Sequence, residues 1–306
     1  MKIVFCCRNT DPEPWLAGLT AALPGAEVLL WEPGGTCADH AVVWAPPQEF
    51  FDQQPQLRGV FNIGAGVDAL LALRLPASAL VVRLDDAGMA VQMAEYVCQA
   101  VIRYFRQLDV YAQDIDRGQW TFQRPQQRAD FAVGVMGLGV LGSRVAHALR
   151  HFEFPVRGWS RLPKVQEGVQ TYHGLSQLND FLASCRVLVN LLPLTPDTVN
   201  ILNRHTLGQL QSGAYLINVA RGAHLVDEDL LTLLDSGQLD GATLDVFRTE
   251  PLPSDHPFWR HRAITITPHT SARTLRDASI AQIAAKIQAM ERGERVAGLV
   301  DVLRGY

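Results

Sequence analysis

Short apolar runs and amphipathic stretches take turns along most of this chain. Lys2–Cys6, Glu27–Trp31, Ala41–Trp44, Gly59–Ile63 and Leu80–Leu84 read as strands, and Pro14–Leu23 reads as a helix stopped by Pro24-Gly25. The runs lack polar alternation, as strands of a parallel sheet covered on both faces do. From Met89 to about Gln107 the pattern predicts one long helix, because Met93, Val97, Val101 and Phe105 recur at helical spacing. A polar, proline-bearing connection, Asp116–Asp130, follows and contains Trp120. The rhythm then resumes with strands at Phe131–Met136, Pro155–Trp159, Val187–Leu192, Ala214–Val219, Ala242–Val246 and Ile264–Thr267. Helices are expected around Asp227–Leu234 and, finally, Ala278–Arg292. Repeated β–α units predict an α/β fold with two parallel-sheet layers.

The strand Phe131–Met136 runs into Gly137-Leu138-Gly139-Val140-Leu141-Gly142 and then into an amphipathic helix with Val145, Ala146 and Leu149 on one face. In a strand-to-helix turn the first glycine permits the tight bend, the second admits a pyrophosphate to the backbone, and the third lets helix and strand pack closely. The helix start offers N–H groups and the positive end of its dipole to phosphate. A dinucleotide site is therefore predicted here. The next strand bears on which dinucleotide. NAD sites place an acid about 20 residues on, for the ribose 2′-hydroxyl, whereas no acid occurs from Phe154 to Gln166, and the strand ends in Ser160-Arg161 with Lys164 close behind. A guanidinium and an ammonium suit a 2′-phosphate, so NADPH is favoured over NADH.

Composition narrows the class. With 306 residues, 48 % hydrophobic and 19 % charged, the chain is globular and long enough for two domains. A net charge of −4 gives no basic footprint for nucleic acid. Five cysteines without C-x-x-C pairing suit free thiols in a reducing compartment, and no segment reads as a signal or membrane span, so the expected location is the cytoplasm, with no membrane partner. His147 and His151 stand four apart on a helix, but no acid completes a zinc motif and no metal is expected; His256 and His261 flank an aromatic pair and shape a loop.

Three later strand ends carry candidate chemistry: Arg221 after Asn218-Val219-Ala220, Asp245 and Glu250 after Leu244, and His269 after Thr267-Pro268. Carboxyl ends of parallel strands are where open α/β sheets bind ligands. Reducing a 2-oxo acid needs a hydride, a proton for the developing alkoxide and an anchor for the carboxylate. Histidine is the natural proton donor near neutral pH, a neighbouring Glu orients it and favours its protonated form, and arginine's planar fork can hold carboxylate and carbonyl together. Taken singly, each has a plainer reading: Arg221 as a surface ion pair, Glu250 as a loop acid, His269 as a structural ring. At the Leu192-Pro193 level another strand meets the expected cofactor. In the first half, Asn62-Ile63-Gly64-Ala65-Gly66-Val67-Asp68 is either a plain tight turn or one whose N–H groups converge on an anion, and Trp44-Ala45-Pro46-Pro47 either walls a pocket or packs inside.

Taken together, these motifs resemble the D-isomer-specific 2-hydroxyacid dehydrogenase family over the whole chain: Gly64–Asp68, the Gly137/Gly139/Gly142 turn, Asn190–Pro193, Asn218–Gly222, Leu244–Phe247 with Glu250–Pro253, and Thr267-Pro268-His269. Leu29-x-Trp31, Val43-Trp44-x-Pro46-Pro47, Glu95-Tyr96, Trp159–Arg161, Cys185–Leu188 and Arg304–Tyr306 match its small-2-oxo-acid reductases more particularly. The resemblance implies two Rossmann/flavodoxin-like doubly wound domains, with a dinucleotide-binding domain (98–280) inserted into a substrate domain (1–97 and 281–306). It implies reduction of glyoxylate to glycolate and hydroxypyruvate to D-glycerate with NADPH. His269 would be the general acid/base, Glu250 its partner, and Arg221 the substrate anchor. Ala65, Gly66 and Val67 would hold the carboxylate, beside Trp44. Gly137, Leu138, Gly139, Leu141 and Gly142, then Ser160, Arg161 and Lys164, would hold the cofactor's phosphates. Leu192, Pro193, Val219, Ala220 and Asp245 would face its other half, with Asp245 on the nicotinamide carboxamide. Two subunits would pair through the dinucleotide-binding domain. Thr270-Ser271-Ala272 departs from the small apolar residues that the family more often has after the histidine. Two alternatives stay open: a reductase for a bulkier 2-oxo acid, and a non-catalytic dinucleotide-sensing regulator on the same fold.

Overall fold

The computed structural model describes residues 1–302 and 304–306; Leu303, in the tail expected to join the substrate domain, lies outside the described residues. The chain forms two compact units, Met1–Met89 with Thr274–Tyr306, and Ala90–Arg273.

In the first unit β1 (Lys2–Cys7), α1 (Glu13–Ala22), β2 (Glu27–Leu30), β3 (His40–Trp44), α2 (Gln48–Asp52), β4 (Gly59–Asn62), α3 (Asp68–Leu71) and β5 (Leu80–Arg83) follow in order. All strand pairs are parallel, in the order β2-β1-β3-β4-β5, the flavodoxin-like arrangement. Val4, Ala41, Val43, Val60 and Val81 form one buried face with Phe50, Phe51, Leu57 and Leu70. The C-terminal helix, Arg276–Glu291, belongs to this unit and lies so close to α1 that a side chain at Gly18 would strike Ile280. Its buried Lys286 donates from Nζ to Asp85 Oδ2 at 2.9 Å and to the Arg83 carbonyl at 2.7 Å. The tail pairs antiparallel with the edge strand β5, Arg83 N–H donating to Gly298 O and Val300 N–H to Val81 O, both at 2.9 Å. Pairing of this kind removes an open sheet edge.

The second unit holds α4 (Met89–Phe105, all but its first residue), α5 (Leu108–Asp116), β6 (Val133–Met136), α6 (Val140–His151), β7 (Val156–Ser160), β8 (Gln170–His173), α7 (Leu178–Ala183), β9 (Val187–Asn190), α8 (Arg204–Leu207), β10 (Ala214–Asn218), α9 (Asp227–Asp235), β11 (Leu239–Leu244) and β12 (Ile264–Ile266). The seven strands are parallel in the order β12-β11-β10-β9-β6-β7-β8, the Rossmann order with one further strand. Successive strand residues face opposite sides, so Leu188, Leu216 and Leu244 enter one core with Phe181 and Phe258. Val187, Val189 and Ile217 enter the other, with Val97, Val101 and Phe105 of α4. The compact units part at 89/90 and 273/274, where the resemblance implies 97/98 and 280/281; α4 joins the second unit because it gives its apolar face to the Rossmann core.

The pattern did not mark β8, α5, α7 or α8. β8 is a half-exposed edge strand, Gln170-Thr171-Tyr172-His173, with no apolar run to announce it. α8 has four residues and depends on a local device: Asn203 Oδ1 accepts from the His205 and Thr206 N–H groups while Thr206 Oγ1 accepts from the Asn203 N–H.

Candidate active site

Register brings the candidate residues of the second unit to one edge. Asn190, at the end of β9, pairs with both Met136 and Asn218; Asn218 pairs with Leu244, and Leu244 with Ile266. The turns that begin at Gly137, Leu191, Val219, Asp245 and Thr267 therefore leave the sheet side by side.

The three glycines of the first turn are each confined differently. Gly137 has φ +101° and lies against the β9 end, where a Cβ would come within 2.7 Å of the Leu191 carbonyl. A Cβ on Gly142 would strike the Gly137 carbonyl, so this helix packs on its turn only without a side chain there. Around Gly139, the N-cap of α6, the space is open. This is the shape that a phosphate approaching the backbone at a helix N-terminus requires. Leu141 is half-buried at the start of the helix. Leu138, Leu192, Val219 and Ala220 are buried, so what they offer a dinucleotide is backbone, while Pro193 stands exposed.

β7 ends at Ser160, whose hydroxyl donates to the Leu162 carbonyl at 2.8 Å and tightens the bend that leaves Arg161 exposed. Lys164 turns back and donates to the Leu138 carbonyl at 2.5 Å, tying this loop to the glycine turn.

Asp245 is completely buried. Its Oδ1 accepts from the Thr267 hydroxyl at 2.6 Å and the Thr270 N–H at 2.8 Å, and its Oδ2 from the Ser271 N–H at 2.9 Å. Its own carbonyl accepts from the His269 N–H at 2.8 Å. Because Thr267 gives its one proton to the carboxylate, Tyr96 must be the donor in the 2.5 Å contact between the two hydroxyls. Asp245, the residue expected on the nicotinamide carboxamide, also has an inward role: its oxygens hold the loop that bears His269. That loop places His269 at φ +53°, the left-handed region, which a non-glycine residue occupies only when its surroundings impose it. His269 Nδ1 lies 2.8 Å from Glu250 Oε2, while Glu250 Oε1 accepts from the Phe247 N–H at 2.9 Å. The bond to Glu250 raises the imidazole above the ordinary histidine range, against burial and the Arg221 charge. Burial pushes the Glu250 carboxyl up, but His269, the Phe247 N–H and Arg221 together hold it below its usual range. Arg221 is therefore electrostatically close to both, and its guanidinium also donates to the Ala220 carbonyl at 2.8 Å.

In the first unit, the Trp44 ring lies against Gly64, where a Cβ would collide with it, so Trp44 and the glycine turn adjoin. Buried Asn62 donates from Nδ2 to the Gly64 and Gly66 carbonyls at 3.0 and 2.9 Å. In a trans peptide the N–H points opposite its carbonyl. The N–H groups of Ala65 and Val67 therefore face away from Asn62, as an anion-binding turn requires. The Val67 side chain is buried, and Ala65 and Gly66 are half-exposed.

A model of the D-isomer specific 2-hydroxyacid dehydrogenase NAD binding domain matches residues 98–271. The whole chain aligns with the whole of a glyoxylate/hydroxypyruvate reductase A from Serratia proteamaculans at 50 % identity. The chain belongs to the D-isomer specific 2-hydroxyacid dehydrogenase family. Among solved structures it resembles a family member from Xanthobacter autotrophicus in complex with NADPH and MES, with a TM-score of 0.95 and 39 % identity over 100 % of this chain and 99 % of that one. It likewise resembles an NADPH-dependent glyoxylate/hydroxypyruvate reductase from Sinorhizobium meliloti in complex with NADP and sulfate, with a TM-score of 0.94 and 35 % identity over 100 % and 99 %.

The sequence reading gave Asn62, Tyr96, Thr267, Asn190 and Asn218 no role beyond their motifs and passed over His224, which is buried with Asn190 and Asn218. Asn62, Asn190 and Asn218 act on backbone groups beneath the turns, His224 joins them, and Tyr96 acts through Thr267 on the Asp245 carboxylate. The departure at Thr270-Ser271 is accommodated because both residues serve through their backbone N–H groups. Glu95, His147 and His151 are exposed, and among the described residues no cluster of His, Cys, Asp or Glu could hold a metal ion. Among the described residues no helix is long and apolar enough to cross a membrane. Asp245→Asn would place an amide N–H₂ against the loop N–H groups, leaving a buried donor unsatisfied. We expect it to lower stability by about 1–3 kcal/mol in urea unfolding; a variant as stable as the parent would contradict the anchoring role.

Proposed function

We propose that this chain is an NADPH-dependent reductase of small 2-oxo acids, converting glyoxylate to glycolate and hydroxypyruvate to D-glycerate. The observation that carries this reading is the His269–Glu250 pair, 2.8 Å apart, with the Arg221 charge acting on both at neighbouring strand ends of a sheet that also bears the glycine turn. Full-length likeness to a reductase of those two acids supports the substrate class.

The residues fit the cofactor: open space at Gly139, a close-packed helix start at Gly142, and the exposed Arg161 in a stretch, Phe154 to Gln166, that contains no acid, suited to a 2′-phosphate. When bound, the reduced nicotinamide supplies a hydride. Every other part falls to the protein. Glu250 holds Nδ1 of His269, so Nε2 is the atom that gives its proton to the oxygen becoming an alkoxide. Arg221 binds the carbonyl and carboxylate oxygens. Ala65, Gly66 and Val67 offer N–H groups suited to the carboxylate, with Trp44 beside them. The first unit is accordingly the substrate domain and the second the dinucleotide-binding domain.

We also propose a homodimer formed through the second unit. The arm after α5 is fastened by the Gln119 N–H to the Asp114 carbonyl at 2.8 Å and by the Gln123 N–H to the Tyr111 hydroxyl at 3.0 Å. It leaves Trp120 and Phe122 91 % and 87 % exposed, more than a large aromatic pair normally offers to water. The five free thiols suit the cytoplasm.

Rapid NADPH oxidation on adding glyoxylate or hydroxypyruvate is the primary test; binding of NADPH without turnover would favour a regulator instead. Reduction needs protonated His269, so kcat/KM should hold at low pH and fall as pH rises through the raised His269 pKa. Glu250→Gln removes the cause of that rise and should move the falling limb to lower pH; an unmoved limb would break the assigned pairing. Arg161→Ala should weaken NADPH about tenfold or more while sparing NADH; equal losses would remove Arg161 from the 2′-phosphate site. In sedimentation experiments, Trp120→Ser with Phe122→Ser should turn a dimer into a monomer, and an unchanged dimer would place the interface elsewhere.

A further inference from the structure

Beneath the two central turns of the second unit lies a dry polar network. Asn190, Asn218 and His224 are all 0 % exposed. Asn190 Oδ1 accepts from the Leu192 N–H at 3.3 Å, which fixes the orientation of its amide. Its Nδ2 then faces Asn218 Oδ1 and His224 Nδ1, each at 3.0 Å. Asn218 Oδ1 also accepts from the Ala220 N–H at 3.3 Å, and its Nδ2 donates to the Arg221 carbonyl at 3.1 Å. On the other side of the ring, His224 Nε2 lies 3.3 Å from the Pro193 carbonyl. The protons can be placed by elimination. An amide N–H₂ facing Nδ1 requires that nitrogen to be the acceptor, so Nε2 carries the hydrogen and donates to Pro193.

We propose that His224 is a positioning residue that sets the Arg221 turn and the Leu192–Pro193 turn relative to each other, through its two ring nitrogens. Nδ1 secures Asn190, which holds the Leu192 N–H and meets Asn218, whose amide holds both Ala220 and Arg221. Nε2 secures Pro193 directly. The inference rests on the reading of Arg221 as substrate anchor and of Leu192–Pro193 as a cofactor-facing turn. Burial makes the geometry strict, since no water replaces a lost partner.

Two isosteric replacements separate the two arms. In His224→Asn, Oδ1 stands where Nδ1 was and keeps the bond from Asn190, but nothing reaches Pro193. In His224→Gln, the terminal N–H₂ stands where Nε2 was and keeps the bond to Pro193, but Asn190 loses its acceptor. We expect His224→Ala to raise both the KM for glyoxylate and the Kd for NADPH, read by fluorescence titration, by about tenfold. His224→Asn, which keeps Asn190 in place, should return the glyoxylate KM to within about threefold of the parent while NADPH binding stays weak; His224→Gln, which deprives Asn190 of its acceptor and so loosens both turns, should leave the glyoxylate KM raised and restore NADPH binding only in part. Loss of both constants in the Asn variant, or parental values in both variants, would overturn the proposal, whether or not the Ala variant folds. Arg221→Lys is the control on the underlying reading: an unchanged glyoxylate KM there would remove Arg221 as the anchor, while the effect of His224 on NADPH binding would still be read independently.

Discussion

The histidine of this protein is placed by a carboxylate that never meets water. Burying an ionised side chain is costly unless every direction it faces offers a hydrogen bond. Asp245 meets that condition with one hydroxyl and two loop N–H groups, while its own carbonyl takes the N–H of His269. The residues between Thr267 and Ser271 therefore have one way to leave β12. His269 can occupy the left-handed region because its neighbours on both sides are tied down. The mutual tuning of His269 and Glu250, one raised and the other lowered, follows from that placement rather than preceding it.

The same device recurs at other strand ends. Asn62 under the Gly64–Val67 turn, Asn218 under Ala220–Arg221 and Asn190 under Leu192 each turn a side-chain amide onto backbone groups just beyond their strand. A parallel sheet supplies the reason. Its strands stop in register at the carboxyl edge, leaving backbone groups that the ladder no longer pairs. A buried amide, able both to donate and to accept, satisfies them and so chooses the shape of the turn. The candidate catalytic side chains stand on turns whose form is set from below.

Much of this was legible in the chain alone. Apolar runs marked eleven of the strands, most of them buried on both faces and so apolar throughout; the half-exposed edge strands β2 and β12 still carry apolar residues, whereas β8 carries no apolar run. The glycine turn was legible because backbone strain and close packing admit no other residue at Gly137 and Gly142. The loop contacts of Asp245 were not legible, since an acid in a motif carries no sign of which way its oxygens face.

The sequence by itself determined most of the strands and the longer helices, where the glycine turn lies, and which residues have the chemistry to donate a proton or grip a carboxylate. These are local properties, written in periodicity, in glycine and in side-chain type. Only the tertiary structure decided that Asp245 turns its oxygens onto the loop bearing His269, that Lys164 turns back to the glycine turn, and that Asn190, Asn218 and His224 form one network. Those outcomes depend on the register between strands that are far apart in the chain, and on burial, which makes a hydrogen bond obligatory where water would otherwise have supplied it.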